Sequence, residues 1–181
     1  MRINRHQPKE KQEKKEQTEI TKHNILALDI AVHTGFFHPL KGGTWNFEES
    51  RARNNNKQHK DFRDTLMTFI VDYDIKQIVA EDVNVSTHFA SVRKLSEFRG
   101  ILLEVCDELG LPEPEFVPVP TLKKYATNNG KASKEEMIEA CIRRYNITPF
   151  DDNHADACHL YFYYLRKHKI PWVTEEASNE K

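Results

Sequence analysis

The chain has 181 residues, with 27 Lys plus Arg against 28 Asp plus Glu, a net charge of -1 and 38% hydrophobic residues. That size suits one domain with a real core, and the balanced charge excludes a uniformly basic nucleic-acid coat protein. No apolar run approaches the roughly 18 residues of a membrane span. Cys106, Cys141 and Cys158 form no CxxC pair, which disfavours a disulfide framework or zinc knuckle and fits a reducing, cytoplasmic setting. Neither a signal peptide nor a transit peptide is visible.

Charge is unevenly spread. Residues 1–22 hold seven basic and four acidic side chains, a net charge of +3 that leaves -4 for the rest. With almost no large apolar residue, this segment is expected to be a disordered basic tail, read either as an arm that adds phosphate affinity or as a solvated leader. Residues 23–172 are expected to form the folded domain, and 173–181 a second disordered tail.

Within the domain, Asn24 to Ile30 is a continuous apolar run that predicts a strand buried on both faces. His33–His38 and Thr44–Phe47 predict two more strands, joined by a turn over Pro39–Gly43. Phe62, Leu66, Phe69, Ile70 and Tyr73 recur at helical spacing over 59–73. Gln77–Val83 predicts another buried strand, and Ala90–Leu109 a long amphipathic helix ended by Gly110 and Pro112. Phe116–Val119 predicts a short strand. A basic loop over 121–131 then leads to a helix opened by the Ser133/Glu136 capping box, and a final helix starts near Asp152. The order βββ-α-β-α-β-α-α predicts an α/β mixed sheet, three antiparallel strands followed by parallel additions, with helices on both faces.

The chemistry lies in where carboxylates fall. Asp29 and Glu81 each end an apolar strand, and Asp152 and Asp156 lie one turn apart on the same helix face. Each acid alone has an ordinary reading as a turn or capping residue. Placed together at three element ends, they predict a cluster that needs a cation, and oxygen donors suit Mg²⁺ or Mn²⁺ rather than zinc. Lys123, Lys124, Lys131 and Lys134 surround Asn128, Asn129 and Gly130 just before a helix start. This is either a phosphate-binding region or a solvated turn.

The strand-end Asp of ILALDIAVHTGFF, then GTWNF, IVAEDV, KLSEFRG, TLKKYATNNGKASKEEMI and DDNHADACHL together resemble a RuvC-type Holliday junction resolvase, especially the RuvC-like crossover junction endonucleases of phages and prophages. The likeness covers about residues 24–168. It implies a ribonuclease H-like fold and a homodimer that cuts branched DNA by paired nicking, with two Mg²⁺ (or Mn²⁺) per active site about 3.5–4 Å apart. Asp29 matches the first-strand acid, Glu81 the second-strand acid and Asp156 the closing acid. The fourth acid of the family falls here on Asn153, so Asp152, or Asn153 as a weaker ligand, takes that place. The likeness favours DNA contact by the basic region, with Lys124 and Lys131 preferred. His88 and Phe89 are either a wedge at a junction centre or a helix staple. Arg93, Lys94 and Arg99 are phosphate contacts or plain surface charges, and His154 and His159 tune a metal or are buried structural histidines. Two alternatives share the acids or the fold: a ribonuclease H-like nuclease acting on RNA–DNA hybrid or flaps, and a non-catalytic branched-DNA-binding protein.

Overall fold

The computed structural model describes residues 19–82 and 89–172. Tail residues 1–18 and 173–181, together with His88 and the side chain of Phe89, lie outside the described residues. Residues 19–22, expected to belong to the tail, are instead part of the packed body. Ile20 lies against the core, and Thr21 caps a single 3-10 turn over Lys22–Asn24.

Five strands form one sheet: β1 (Ile25–Asp29), β2 (His33–His38), β3 (Lys41–Asn46), β4 (Gln77–Glu81) and β5 (Glu115–Val117). Their spatial order is β3-β2-β1-β4-β5. The β1/β2 and β2/β3 pairs are antiparallel, and the β1/β4 and β4/β5 pairs are parallel. This is the mixed sheet expected from the sequence. The hairpin turn is tighter than predicted, because His38 already pairs with Lys41.

The helices are α1 (Asn55–Asp72), α2 (Phe89–Glu108), α3 (Val119–Thr127), α4 (Lys134–Tyr145) and α5 (Asp152–Lys167). Helix α1 starts earlier than its apolar periodicity indicates, because Asn54 caps it through a 3.0 Å bond from the Lys57 N–H. Helix α3 corrects the sequence reading more substantially, since most of the expected basic loop is helical. Pro120 in its first turn suits a helix start, Leu122 and Ala126 bury one turn apart, and Asn128 ends it in the left-handed conformation at φ 64°.

The pleat of the sheet sorts the core into two layers. Ile25, Ala27 and Val79 face α3, α4 and α5, whereas Leu26, Leu28, Ile78 and Ala80 face α1 and α2. Among the described residues no helix is long and apolar enough to cross a membrane.

Candidate active site

The same alternation aims the strand-end acids. Asp29 follows Ile25 and Ala27 onto the α5 face, and Glu81 follows Val79. The parallel register pairs Leu28 with Ala80, so the next positions, Asp29 and Glu81, are neighbours at the carboxyl ends of adjacent strands. Their carboxyl groups interact directly, and that contact favours a proton on Asp29.

Helix α5 brings the other two acids. Asp151 caps it, accepting from the His154 N–H at 2.8 Å and from the Thr44 hydroxyl at 2.7 Å. The helix can descend onto β2 because residue 35, which pairs with Asp29, is glycine. A Cβ there would sit 2.0 Å from the Asn153 carbonyl oxygen. Gly42 plays the same part on β3, where a Cβ would meet the His154 ring at 2.4 Å. Sequence reading gave Gly35 no packing role and put Gly42 in the turn that the structure makes part of β3, although an isolated glycine inside a strand, as Gly35 is, is a recognisable sign of close approach.

Asp29, Glu81, Asp152 and Asp156 line one open cavity of about 290 Å³, together with Asp82, Arg99, Lys123 and Lys134. Burial, reinforced by Glu81 and Asp156, raises the Asp29 pKa well above the carboxylate range. Burial and then the Asp156 charge push Glu81 up to about 8. Asp156 is pushed up to about 7, again chiefly by burial, with Lys123 opposing and Asp152 adding to the shift. Lys134 is ion-paired with Asp152, and that contact raises its own pKa. The Lys123 ammonium donates to the Ala132 carbonyl at 2.8 Å.

Among the described residues, no three acidic, histidine or cysteine side chains close on a preformed cation cage. Asp29 instead favours holding a proton beside Glu81, and Asp152 is tied to a lysine. An entering cation would displace both. The donor set still fits one, because Oδ1 of Asp156 is buried without a hydrogen-bond partner and three carboxyls are held in surroundings that penalise uncompensated charge.

Asn153 does not line the cavity. Its carbonyl packs over Gly35, leaving Asp152 on the acid face. Of the four lysines, Lys123 and Lys134 reach the acids. Lys124 lines a separate cleft and Lys131 is exposed, lining neither this cavity nor that cleft. Arg99, read as either a phosphate contact or a surface charge, is held in the cavity wall by an ion pair with Asp82 and by the Phe116 ring 3.5 Å from its guanidinium. His154 packs between Phe37 and Phe150, and burial lowers its pKa. His159 meets the Met137 carbonyl at 2.9 Å and, chiefly through burial, is pushed down to about 4. Both are core histidines.

No protein-family model matches the chain. It is 28% identical over 126 residues to the crossover junction endodeoxyribonuclease RuvC of Pelobacter propionicus, covering 66% of this chain and 71% of that protein. It is 33% identical over 93 residues to the RuvC of Helicobacter pylori, covering 51% of this chain and 58% of that protein, which is less than two thirds of that relative's length. Among solved structures it resembles T. thermophilus RuvC in complex with Holliday junction substrate, at TM-score 0.64 and 16% identity over 80% of this chain and 95% of that one. It also resembles the yeast mitochondrial Holliday junction resolvase Ydc2, at TM-score 0.58 and 11% identity over 81% and 79% of the two chains. Sequence relatives and fold neighbours agree on one type: the chain is similar in sequence to RuvC proteins and shares the fold of the RuvC and Ydc2 resolvase structures.

Proposed function

We propose that this chain is a structure-selective endodeoxyribonuclease that resolves four-way DNA junctions by metal-dependent paired nicking. The observation that carries this reading is the convergence of Asp29, Glu81, Asp152 and Asp156, from three elements, on one cavity. The crossover-junction activity in the names of the relatives supports it, as does the junction bound to T. thermophilus RuvC.

Asp29, Glu81, Asp152 and Asp156 would hold the divalent cations, Mg²⁺ or Mn²⁺, two per site. Such ions supply an activated water and stabilise a leaving oxygen. Asp29, which has both Glu81 and Asp156 as neighbours, would be shared most readily between such ions. Burial strips water from Asp29, Glu81 and Asp156, so their charge would act strongly on a cation held there. Lys123 and Lys134 project into the cavity, where they meet the phosphate of the strand to be cut. Lys134, now paired with Asp152, would be released to the phosphate if that carboxylate held a cation. Lys124 and Lys131 add phosphate contacts farther out. A symmetric homodimer presents two such cavities to two opposed strands of the junction.

The test is incubation with a synthetic immobile four-way junction, with and without Mg²⁺ or Mn²⁺. Symmetric paired nicks with 5′-phosphate and 3′-hydroxyl ends are expected. Asp29→Asn should still bind the junction but not cut it. Equal cutting of linear duplex, flap or RNA–DNA hybrid would refute junction selectivity. Binding without any nicking would make the protein a branched-DNA binder, and nicking that survives in Glu81→Gln would remove the acids from the chemistry.

A further inference from the structure

Away from the acid cavity, many cations of the described surface are matched to carboxylates, among them Arg53 to Asp61, Arg63 to Glu108 and Lys167 to Glu115. Lys124, Arg144 and Arg166 differ. All three are exposed where α3, α4 and α5 meet, and none has an acidic partner within ion-pair distance among the described residues.

They surround aromatic side chains. The Tyr125 and Tyr163 rings meet edge to face with centroids 5.4 Å apart. The Arg144 guanidinium lies 4.4 Å from the Tyr125 ring, and that of Arg166 lies 5.8 Å from it. Arg144 has a structural task, donating to the Tyr125 carbonyl and, at 2.9 Å, to the Ala126 carbonyl at the end of α3. Lys124 and Arg166 have no such task. With Tyr125, Asn128 and Tyr163 they line one open cleft.

Helix α3 connects this cleft to the acids. Val119 and Lys123 face the acid cavity, whereas Pro120, Thr121 and Lys124 face the cleft. A nucleic-acid strand that leaves the acids across the first turn of α3 therefore arrives at the unpaired cations. The cleft offers an ammonium, a guanidinium, a carboxamide and phenol hydroxyls, all able to donate to phosphate oxygens.

We propose that the Lys124–Asn128–Arg166 cleft is a second nucleic-acid subsite, which holds the sugar-phosphate backbone of the DNA arm leading away from the cut phosphate. This inference rests on the nuclease reading above. The subsite positions the arm through charge and carries no sequence information.

The experiment is equilibrium binding of the full-length Asp29→Asn protein to a long-armed junction across a salt series, with and without K124A/R166A. Loss of two phosphate contacts should lower the slope of log affinity against log salt by about 1.8, and affinity at moderate salt by roughly tenfold or more. Arg166→Lys, which keeps the charge, should restore most of the slope in the Lys124-intact protein relative to Arg166→Ala. Trimming the junction arms should abolish the Arg166→Ala loss. An unchanged slope in a double variant with an unchanged melting temperature overturns the subsite while leaving the nuclease reading intact. Failure of the parent protein to bind junctions at all overturns both.

Discussion

The two helical layers on the sheet are built by different rules. In the α1–α2 layer, aromatic rings fill the core, with Phe62 and Phe98 stacked at 4.6 Å and Phe47 edge-on to both. Its surface charges are bridged in pairs, and buried Gln58 is satisfied by the Phe47 carbonyl at 2.6 Å and by Lys94. In the α3–α5 layer, small residues such as Ala155 and Ala157 let α5 lie close on the strands. Among the described residues, the two buried side-chain atoms that lack a hydrogen bond, His154 Nε2 and Asp156 Oδ1, both belong to α5. Repelling carboxyls and unpaired cations gather on the same side. One layer therefore stabilises the fold, while the other carries the unfavourable electrostatics that a ligand would relieve.

Substitutions should separate the layers. Phe62→Ala empties a fully buried site in the α1–α2 core and should cost about 3–5 kcal/mol in denaturant unfolding, without changing nicking per folded molecule. Asp29→Asn should do the reverse. Junction nicking should fall by at least about 100-fold, the scale of losing one fixed electrostatic contact at a reacting centre, while the melting temperature rises because a repelling carboxyl is gone. Gly35→Ala should damage both properties. Its Cβ collides with the backbone of α5, so a loss of about 1–3 kcal/mol with displaced acids and weakened nicking is expected.

A pH titration sharpens the contrast without mutation. The unfolded chain releases carboxyl protons around pH 4. The folded chain retains them up to about 7 at Asp156 and about 8 at Glu81. The folded state thus binds more protons in between, so stability is present at low pH and declines as pH rises through that window. Melting temperatures of metal-free protein should fall from pH 6.5 to 8, above the range in which His159 titrates, and Mg²⁺ should flatten the decline. A metal-free curve that stays flat over this range would contradict the repulsion. The smallest effect belongs to the bridged surface. Arg63→Ala removes the pair with Glu108 and should cost less than about 1 kcal/mol, with no change in the salt dependence of junction binding.

Much of this division follows from the sequence. Continuous apolar runs ending in Asp29 and Glu81 mark strands covered on both faces, and their period-2 alternation puts both acids on one side. The helical spacing of Asp152 and Asp156 puts those two on one helix face. Helix α3 was not legible, because Lys, Asn and Thr around a proline read as a loop until Leu122 and Ala126 find a core to bury in. The lysines could not be sorted for the same reason. Lys123 and Lys124 are adjacent in the chain, and only the helical rotation between them sends one to the acids and the other to the Tyr125 cleft.

By itself, the sequence determined the strand and helix periods, the acids at the element ends and the excess of lysine near them, because these are local patterns of burial and charge. Tertiary structure decided which acids meet and which cations remain unpaired. Those outcomes depend on the β1/β4 register and on the depth to which α5 sinks over Gly35. Both are properties of segments far apart in the chain, which no local pattern encodes.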